Sequence, residues 1–257
     1  MQLIGLKTPI IKPHDDIADI ILESAKGVGG LKDGDVVVVS SSAVSTAKGR
    51  LKKLSSVKPS IKAIKLSKAT NLEPEFVELV LREADHVLGA VKGVVLTLKD
   101  GLLCANACVD HSNVPPGYVS LLPKSPNKIA KEILRRLKRG YDVRLGVVIS
   151  DSHIQPLRLG TIGVAIGVAG VEPVIDCRRK PDIYGRRLRI TYRAIADQLA
   201  TAAQILMGET NEQTPAVIVR GANVTFAEKV KTSPKISPKR CMYADALGIN
   251  KLIHGKR

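Results

Sequence analysis

Three acidic residues stand beside apolar segments of this chain, where a folded protein holds side chains rigidly. Asp110 follows a run of small residues, Asp151 follows a β-branched run, and Glu209 follows an alanine-rich segment. Ser152 adds a hydroxyl directly after Asp151. Carboxylate and hydroxyl oxygens are the ligands that Mg²⁺ and Mn²⁺ prefer when they hold phosphate oxygens. The residue types therefore indicate a divalent-cation site, while separation along the chain leaves open whether the three acids meet.

Softer metal ligands close to Asp110 offer a second interpretation. Cys104, Cys108 and His111 are ligands of the kind that zinc prefers, but no second Cys/His pair completes a tetrahedral set. The two cysteines and Asp110 share strand parity, so small buried core cysteines are the favoured interpretation and zinc the alternative. His153 could act as a base or contact a phosphate, although a single loop histidine more often does neither.

A basic cluster lies further along the chain. Its members are Arg178, Arg179, Lys180, Arg186, Arg187 and Arg189. The planar guanidinium group binds carboxylate and phosphate through two parallel hydrogen bonds. The cluster therefore fits an anion site, and it fits a solvated basic face equally well.

The segment that must position Asp151 runs from residue 147 to residue 170. Residues 147–150 predict a buried strand that ends on Asp151, where α/β proteins tend to hold ligands. Four glycines follow, at Gly160, Gly163, Gly167 and Gly170. Their spacing matches neither GxGxxG nor GxxxxGK[ST], so neither phosphate-binding motif is indicated. Glycine permits close approach of a ligand or of another backbone, and a tightly packed core segment is the alternative.

Periodicity predicts the elements around these residues. Helices are expected at 15–25, 73–86, 127–139 and 195–207, and strands at 1–11, 36–39, 94–98, 102–107 and 215–219. Residues 40–50 (SSSAVSTAKGR) are interpreted as a strand leading into a loop. The backbone and hydroxyls of that loop, including Ser41 and Ser42, could meet a phosphate, or the loop could be merely polar. No cut is forced within 1–225, and 226–257 is interpreted as a basic tail with a short terminal helix.

Length and composition indicate a globular protein. The 257 residues are 44% apolar and 25% charged, enough to bury the core of one large domain or of two intertwined lobes. The longest apolar run, 162–171, is too short to span a bilayer, and no basic-then-apolar leader opens the chain. Four cysteines without a leader favour reduced thiols. We therefore expect a cytoplasmic protein with no membrane partner.

A net charge of +16 calls for an anionic partner beyond what a solvated lysine-rich surface explains. Nucleic acid is one candidate, and a nucleotide or a phosphorylated cofactor is another. Only 3% of the residues are aromatic and none is Trp, which leaves few platforms for stacking single-stranded bases. The composition thus favours a small polyanion over nucleic acid.

Six segments in one order resemble a single family, the coenzyme F420:L-glutamate ligases, also called F420-0:γ-glutamyl ligases. They are SSSAVSTAKGR, ANACVDHSNV, VVISDSHIQPLRLGTIGVAIGVAGVEP, DIYGRRLRIT, IADQLATAAQILMGE and PAVIVRG. The resemblance implies an α+β fold, with two intertwined lobes of mixed sheets and flanking helices, and a homodimer. It implies GTP-dependent formation of an amide between L-glutamate and a carboxylate of the deazaflavin cofactor precursor F420-0.

The resemblance also assigns roles to individual residues. Those matching the Mg²⁺ or Mn²⁺ ligands are Asp110, Asp151, Ser152 and Glu209. Asp151 is in addition expected to be catalytic. Those matching contacts to GTP, the co-substrate, are Thr8, Pro9, Ile10, Ile11, Ser41, Ser42, Thr46, Asn113, Met207, Gly208, Glu209, Thr210 and Asn211. The last of these begin a nucleotide loop that extends to Thr214.

Two departures from the family pattern bear on the function. Thr46 stands where the family usually has a lysine, and Lys48 where it has a glutamate. Ile154 and Gln155 replace a glycine and an arginine. The first change moves a positive charge that would meet phosphate by two positions. The expected function is therefore a metal-dependent γ-glutamyl ligase, and the alternative is a non-catalytic or re-specialised relative that binds a nucleotide or phosphorylated cofactor.

Overall fold

A computed structural model describes residues 1–141 and 143–254 of the protein. The chain divides into two compact units. The first unit contains Met1–Lys48 and Pro123–Pro234, and the second contains Gly49–Leu122 and the segment that begins at Lys235. The predicted division into 1–225 and a basic tail from 226 stays a prediction.

The described residues form twelve β-strands and eight α-helices. The strands are β1 (Gln2–Leu6), β2 (Asp35–Ser40), β3 (Leu51–Lys53), β4 (His86–Val91), β5 (Val94–Lys99), β6 (Leu102–Ala105), β7 (Tyr118–Ser120), β8 (Leu145–Ile154), β9 (Thr161–Ala169), β10 (Val174–Asp176), β11 (Tyr192–Ala194) and β12 (Ala216–Arg220). The helices are α1 (Ile17–Lys26), α2 (Ser41–Ala47), α3 (Ile61–Thr70), α4 (Pro74–Glu83), α5 (Pro126–Gly140), α6 (Ile195–Met207), α7 (Met242–Ala246) and α8 (Ile249–His254). Short 3₁₀ turns cover Leu54–Ser56, Asn106–Cys108 and Pro238–Arg240.

The first unit is built on a five-stranded mixed sheet in the order β1-β12-β2-β8-β9. Only β2 and β8 are parallel, and the other neighbours are antiparallel. The central strand β2 is a run of valines that is buried on both faces, as expected for a strand covered by helices on each side. Val36 and Val38 face the apolar side of α6, and α5 packs against β8 and β9.

The glycines of β9 let the two helices approach the sheet closely. A Cβ atom on Gly163 would lie 2.5 Å from the carbonyl oxygen of Ala200 in α6, and one on Gly167 would lie 2.6 Å from the carbonyl oxygen of Pro126 in α5. A bulge lies between these glycines, because Ile149 pairs with Gly167 and Ser150 pairs with Ala165. The extra residue reverses which side of the strand faces each helix, so the two glycines serve opposite faces. The tightly packed core segment, one of the two interpretations of these glycines, is the arrangement that the structure has.

The outer edge of β9 is closed by side chains rather than by another strand. The Asp197 carboxylate in α6 accepts a hydrogen bond from the backbone N–H of Ala165 at 2.9 Å, and the Asn127 side chain in α5 accepts one from Val168 at 2.9 Å. Burial raises the pKa of Asp197 above its ordinary value. These bonds tie both helices to a sheet edge that would otherwise expose unpaired donors.

The second unit contains local sheets and a small core of its own. Strands β4, β5 and β6 form an antiparallel meander, and β3 pairs with β7. The apolar face of α4 packs onto this unit, and Phe76 and Val80 are buried in its core with Val95 and Val119. The predicted hairpin at 94–107 is confirmed, with its turn at Lys99, Asp100 and Gly101.

Several predicted elements are confirmed, and the α+β class with them. Helix α6 has the predicted bounds, and α1, α4 and α5 lie where periodicity placed them. No helix among the residues that the structure describes is long and apolar enough to cross a membrane. The predicted first strand is too long, because β1 ends at Leu6.

Two interpretations of the sequence are wrong. The passage 40–50 is not a strand leading into a loop, because α2 begins at Ser41. The hydroxyl of Ser40 accepts a hydrogen bond from the backbone N–H of Ala43 and caps that helix. Asp151 does not end its strand either, because β8 continues to Ile154 and pairs with β9 as far as Thr161. Gly163 and Gly167 of the glycine-rich segment that follows belong to the paired strand β9.

Candidate functional site

The Asp151 carboxylate is held from two sides within the first unit. The hydroxyl of Ser41, the first residue of α2, donates a hydrogen bond to Oδ1. The Nε2 atom of His153 lies 3.0 Å from Oδ2, and the two side chains are 15% and 5% exposed for Asp151 and His153. Asp151 and His153 are alternate residues of β8, so both face the same side of the sheet. This group is called the Asp151 cluster below.

A second polar group surrounds Glu209. Its Oε1 atom accepts hydrogen bonds from the hydroxyls of Ser152 at 2.8 Å and Thr161 at 3.1 Å. The side-chain amide of Gln204 donates to Ser152 Oγ at 3.0 Å, to Thr161 Oγ1 at 3.3 Å and to the Glu209 carboxylate. Three oxygen atoms thus converge on one point. These four residues form the Glu209 cluster.

The local fold explains why these four side chains meet. Helix α6 ends at Met207, and Gly208 follows with φ +68° and ψ −172°, a conformation essentially restricted to glycine. This reversal directs Glu209 back to the β8–β9 hairpin, which carries Ser152 and Thr161. Ser152 follows Asp151 in the same strand, and successive strand residues point to opposite faces. The side chains of Asp151 and Ser152 therefore leave β8 on opposite faces.

The predicted nucleotide loop after α6 folds around its own carboxylate. Glu212 accepts hydrogen bonds from the backbone N–H of Thr210 at 2.8 Å and from its hydroxyl at 2.9 Å. Hydrogen bonds from its own backbone N–H and from Thr210 hold the pKa of Glu212 below its ordinary value. The backbone N–H of Thr8 donates to the carbonyl of Gln213 at 3.2 Å. Two segments that the sequence assigned to the nucleotide are thus in direct contact.

The remaining residues assigned to the nucleotide in the first unit are spread over two segments. The hydroxyl of Ser42 lies 3.3 Å from that of Ser40, and Thr46 is half-buried on α2. Lys48, one residue beyond α2, forms an ion pair with Glu132 of α5 at 3.3 Å. Pro9, Ile10 and Ile11 follow Thr8 in an irregular segment in which Ile10 is largely exposed.

Asp110 and Asn113 belong to the second unit. The Asp110 carboxylate is exposed and accepts hydrogen bonds from the backbone N–H of Ser112 at 3.0 Å and from the Ser112 hydroxyl. Asn113 is exposed and has φ +55°. Convergence of Asp110 with Asp151 and Glu209 on one ion stays a prediction.

The alternative zinc site at Cys104, Cys108 and His111 stays a prediction. The strand parity that favoured two buried core cysteines is wrong for Cys108, which is half-buried in a 3₁₀ turn whose three residues all have positive φ. The exposed ring of His111 stacks on Phe76 with centroids 4.6 Å apart.

The Glu209 cluster fits a divalent cation by the chemistry of its donors. Ser152 Oγ, Thr161 Oγ1 and Glu209 Oε1 surround the single position that the Gln204 amide nitrogen fills. Hard oxygens of this kind, with one carboxylate among them, suit Mg²⁺ or Mn²⁺ better than a soft ion. The Asp151 carboxylate offers further oxygens of the same kind.

Sequence reasoning missed two members of the two clusters, Gln204 and Thr161, and it did not foresee the bond from Ser41 to Asp151. The available signal for Gln204 was its position as the polar residue in the last turn of α6. Thr161 carried no signal, because its contact depends on hairpin register. The bond from Ser41 depends on a helix that was interpreted as a loop.

Fold and site together define an α+β protein with two oxygen-rich polar clusters beside a loop in which Thr210 binds the Glu212 carboxylate. Residues 5–221 match the family model described as F420-0:Gamma-glutamyl ligase. The chain belongs to this F420-0:gamma-glutamyl ligase family.

Curated relatives cover most of the chain. It is 44% identical over 212 residues to the coenzyme F420:L-glutamate ligase of Methanopyrus kandleri, and the aligned region covers 82% of each chain. It is 40% identical over 225 residues to the protein of the same name from Methanothermobacter thermautotrophicus, covering 86% of this chain and 89% of that one. It is 38% identical over 229 residues to the one from Methanocaldococcus jannaschii, covering 88% and 90%.

Proposed function

We propose that the protein is a ligase that joins L-glutamate, through its amine, to a carboxylate of the cofactor precursor F420-0, using GTP and a divalent cation. Membership of a family whose curated relatives carry the name coenzyme F420:L-glutamate ligase supports the reaction. The observation that carries the proposal to this chain is the convergence of Ser152, Thr161 and Glu209 oxygens on one point. The proposal includes a homodimer, which light scattering of the purified protein tests.

Amide formation from a carboxylate needs activation, because a carboxylate oxygen is a poor leaving group. In the proposed reaction the γ-phosphoryl group of GTP passes to the acceptor carboxylate, which gives GDP and an acyl phosphate. The glutamate amine then attacks the acyl carbon, loses a proton, and inorganic phosphate leaves. A bound Mg²⁺ or Mn²⁺ would supply charge neutralisation to the transferring phosphoryl group.

The residues of this chain would bind and orient the reactants. Asp151 is fixed by Ser41 and His153, so its carboxylate cannot swing away from a bound cation. The Glu209 cluster is fixed in the same way by Gln204. The backbone N–H of Thr210 is a donor suited to a nucleotide phosphate, because it already binds a carboxylate in the structure.

The test combines the reaction with a matched pair of substitutions. Purified protein, Mn²⁺, GTP, L-glutamate and F420-0 are expected to give GDP and a glutamylated product by mass spectrometry. Asp151→Asn is expected to abolish the product while circular dichroism shows that folding persists. Asp33→Asn makes the same chemical change at the exposed partner of Arg144, outside both clusters, and is expected to leave the product unchanged. Absence of product from the wild-type protein with GTP or ATP would refute the ligase.

One observation favours a second function, a relative that binds a nucleotide or phosphorylated cofactor without catalysis. Thr46 stands where a lysine is usual, and the nearby Lys48 is already paired with Glu132. Both partners of that pair are partly exposed, and exposed pairs contribute little, so a phosphate could compete for Lys48. Binding of GTP without turnover in the assay above would support this function instead.

A further inference from the structure

An arginine-rich arm projects between β10 and β11 of the first unit. It consists of residues 177–191, and backbone hydrogen bonds hold it as an irregular hairpin, among them Arg179 N–H to Leu188 carbonyl at 2.8 Å. A bridge pairs Pro181 with Arg187 near its tip. The arm therefore has a defined backbone from which its side chains project.

The composition of the arm differs from that of an ordinary basic surface. Five of the chain's 16 arginines lie within residues 178–189, together with a single lysine, whereas the whole chain has 24 lysines. A solvated basic face has no need of arginine over lysine, because both carry one charge. Arginine enrichment indicates that the fork-shaped geometry of the guanidinium group is used.

Only part of this charge is neutralised within the protein. Arg178 binds the Asp176 carboxylate through its side-chain Nε and Nη2 atoms at 3.0 and 2.7 Å and through its backbone N–H at 2.9 Å, and these bonds lower the pKa of Asp176 to about 2. Arg186 pairs with Asp182 at 3.4 Å. Among the residues that the structure describes, three further arginines form no ion pair or side-chain hydrogen bond. They are Arg179, Arg187 and Arg189.

The three unpaired arginines line one cavity. Its volume is about 1160 Å³, and Arg178, Arg186 and Leu188 also contribute to its walls. Asp176 lines the cavity too, but its single charge is already offset by the hydrogen bonds from Arg178, and Arg179 adds a weaker electrostatic attraction to it. None of these residues belongs to the Asp151 or Glu209 cluster. Three positive charges around one concave surface repel each other unless an anion lies between them.

We propose that this cavity is a binding site for a small ligand that carries phosphate and at least two negative charges. Bidentate hydrogen bonding from guanidinium groups fits phosphate oxygens, and a single negative charge would leave most of the positive charge unbalanced. The volume accommodates a molecule of cofactor size. The inference stands whether or not the ligase reaction occurs.

Nucleic acid fits the arm less well. Tyr184 in the arm and Tyr192, which directly follows the arm in β11, are already covered by guanidinium groups, Tyr192 by Arg178 at 4.8 Å from the ring centroid and Tyr184 by Arg186 at 5.6 Å. The faces on which single-stranded bases would stack are therefore in use. The arm is therefore suited to binding phosphate groups rather than stacked bases.

Isothermal titration calorimetry with inorganic pyrophosphate tests the proposal. The full chain is titrated in metal-free buffer with a chelator, at low ionic strength, so that metal-dependent binding elsewhere does not contribute. Wild-type protein is expected to bind, and Arg187→Gln to raise Kd at least about tenfold, the scale of one charge-assisted hydrogen bond. Lys180→Gln removes the same charge from an arm residue that does not line the cavity, and is expected to change Kd less than about twofold.

Further variants separate geometry from charge and from folding. Arg189→Lys keeps the charge but loses the fork, and is expected to weaken binding to an intermediate degree. Thermal unfolding of each variant identifies any loss of fold. Equal effects of Arg187→Gln and Lys180→Gln would reduce the site to diffuse charge and overturn the proposal. It would also be overturned if Arg187→Gln impaired binding of a labelled RNA or DNA duplex but left pyrophosphate binding unchanged.

Discussion

The close contact between β9 and α6 makes Gly163 the most informative single position. In Gly163→Ala the new Cβ atom would lie 2.5 Å from the Ala200 carbonyl oxygen, 2.6 Å from its carbonyl carbon and 2.9 Å from Ser150 Oγ. Ordinary van der Waals contact begins near 3.4 Å. The nearest obstacles are helix backbone atoms, which cannot rotate aside, so α6 must move from the sheet by close to an ångström.

The expected loss of stability follows from this overpacking. Forcing one extra carbon into a packed core typically destabilises a protein by about 1–3 kcal/mol, and a contact with backbone puts this variant at the upper end. The control is Gly89→Ala in β4, another strand glycine, where a Cβ atom meets nothing within 4 Å. Its midpoint of urea unfolding is expected to match that of the wild-type protein.

The same displacement is expected to reach the Glu209 cluster. Gln204 lies on α6 and Glu209 follows its end, while Ser152 and Thr161 belong to the hairpin from which the helix moves. A shift of about one ångström in a catalytic arrangement lowers a rate roughly a hundredfold. In Gly163→Ala, ligase turnover and Mn²⁺ affinity are therefore expected to fall by more than the decrease in the fraction of folded protein. Unchanged unfolding midpoint and unchanged Mn²⁺ affinity would refute the packing argument.

Two further predictions concern the nucleotide. Thr46→Lys restores a cation on α2 and is expected to tighten GTP binding by up to about 2 kcal/mol, whereas Thr225→Lys, the same change at an exposed position outside both clusters, is not. No change in titration calorimetry with Thr46→Lys would mean that α2 does not meet the phosphates. Glu212→Gln removes the carboxylate that covers Thr210 and is expected to tighten GTP binding several-fold, whereas Glu228→Gln, an exposed acid elsewhere in the first unit, is not. Weaker GTP binding by Glu212→Gln would assign that carboxylate to nucleotide recognition instead.

Local physics accounts for the elements that the sequence predicted well. Helix α6 has a continuous apolar face and a glycine immediately after its last residue. Neighbouring residues therefore determine both its helical periodicity and the position where it ends. Helix α2 has no such pattern, because five of its seven residues are buried, and its start depends on a serine cap. The extension of β8 beyond residue 150 depends on pairing with β9, which no local property of Asp151 reveals.

The site residues show the same difference between what local sequence determines and what long-range packing determines. Asp151, Ser152 and Glu209, whose roles stay predictions, were singled out because chemistry-bearing residues follow recognisable elements. Their partners were not, because Gln204 reaches Ser152 only when a glycine in β9 admits α6 to that distance. Residue type is a property of the sequence, whereas mutual position comes from packing between elements far apart in the chain.

The strand order of the first unit also affects when its sheet can form during synthesis on the ribosome. Central strand β2 is complete at residue 40, but its two neighbours come from residues 145–154 and 216–220. The meander of the second unit, by contrast, is contained within residues 86–105. Local pairings form before long-range ones during vectorial synthesis. A nascent chain arrested once residue 122 has emerged from the ribosome should therefore protect the meander from protease, while the valine strand of the first unit still lacks its partner strands.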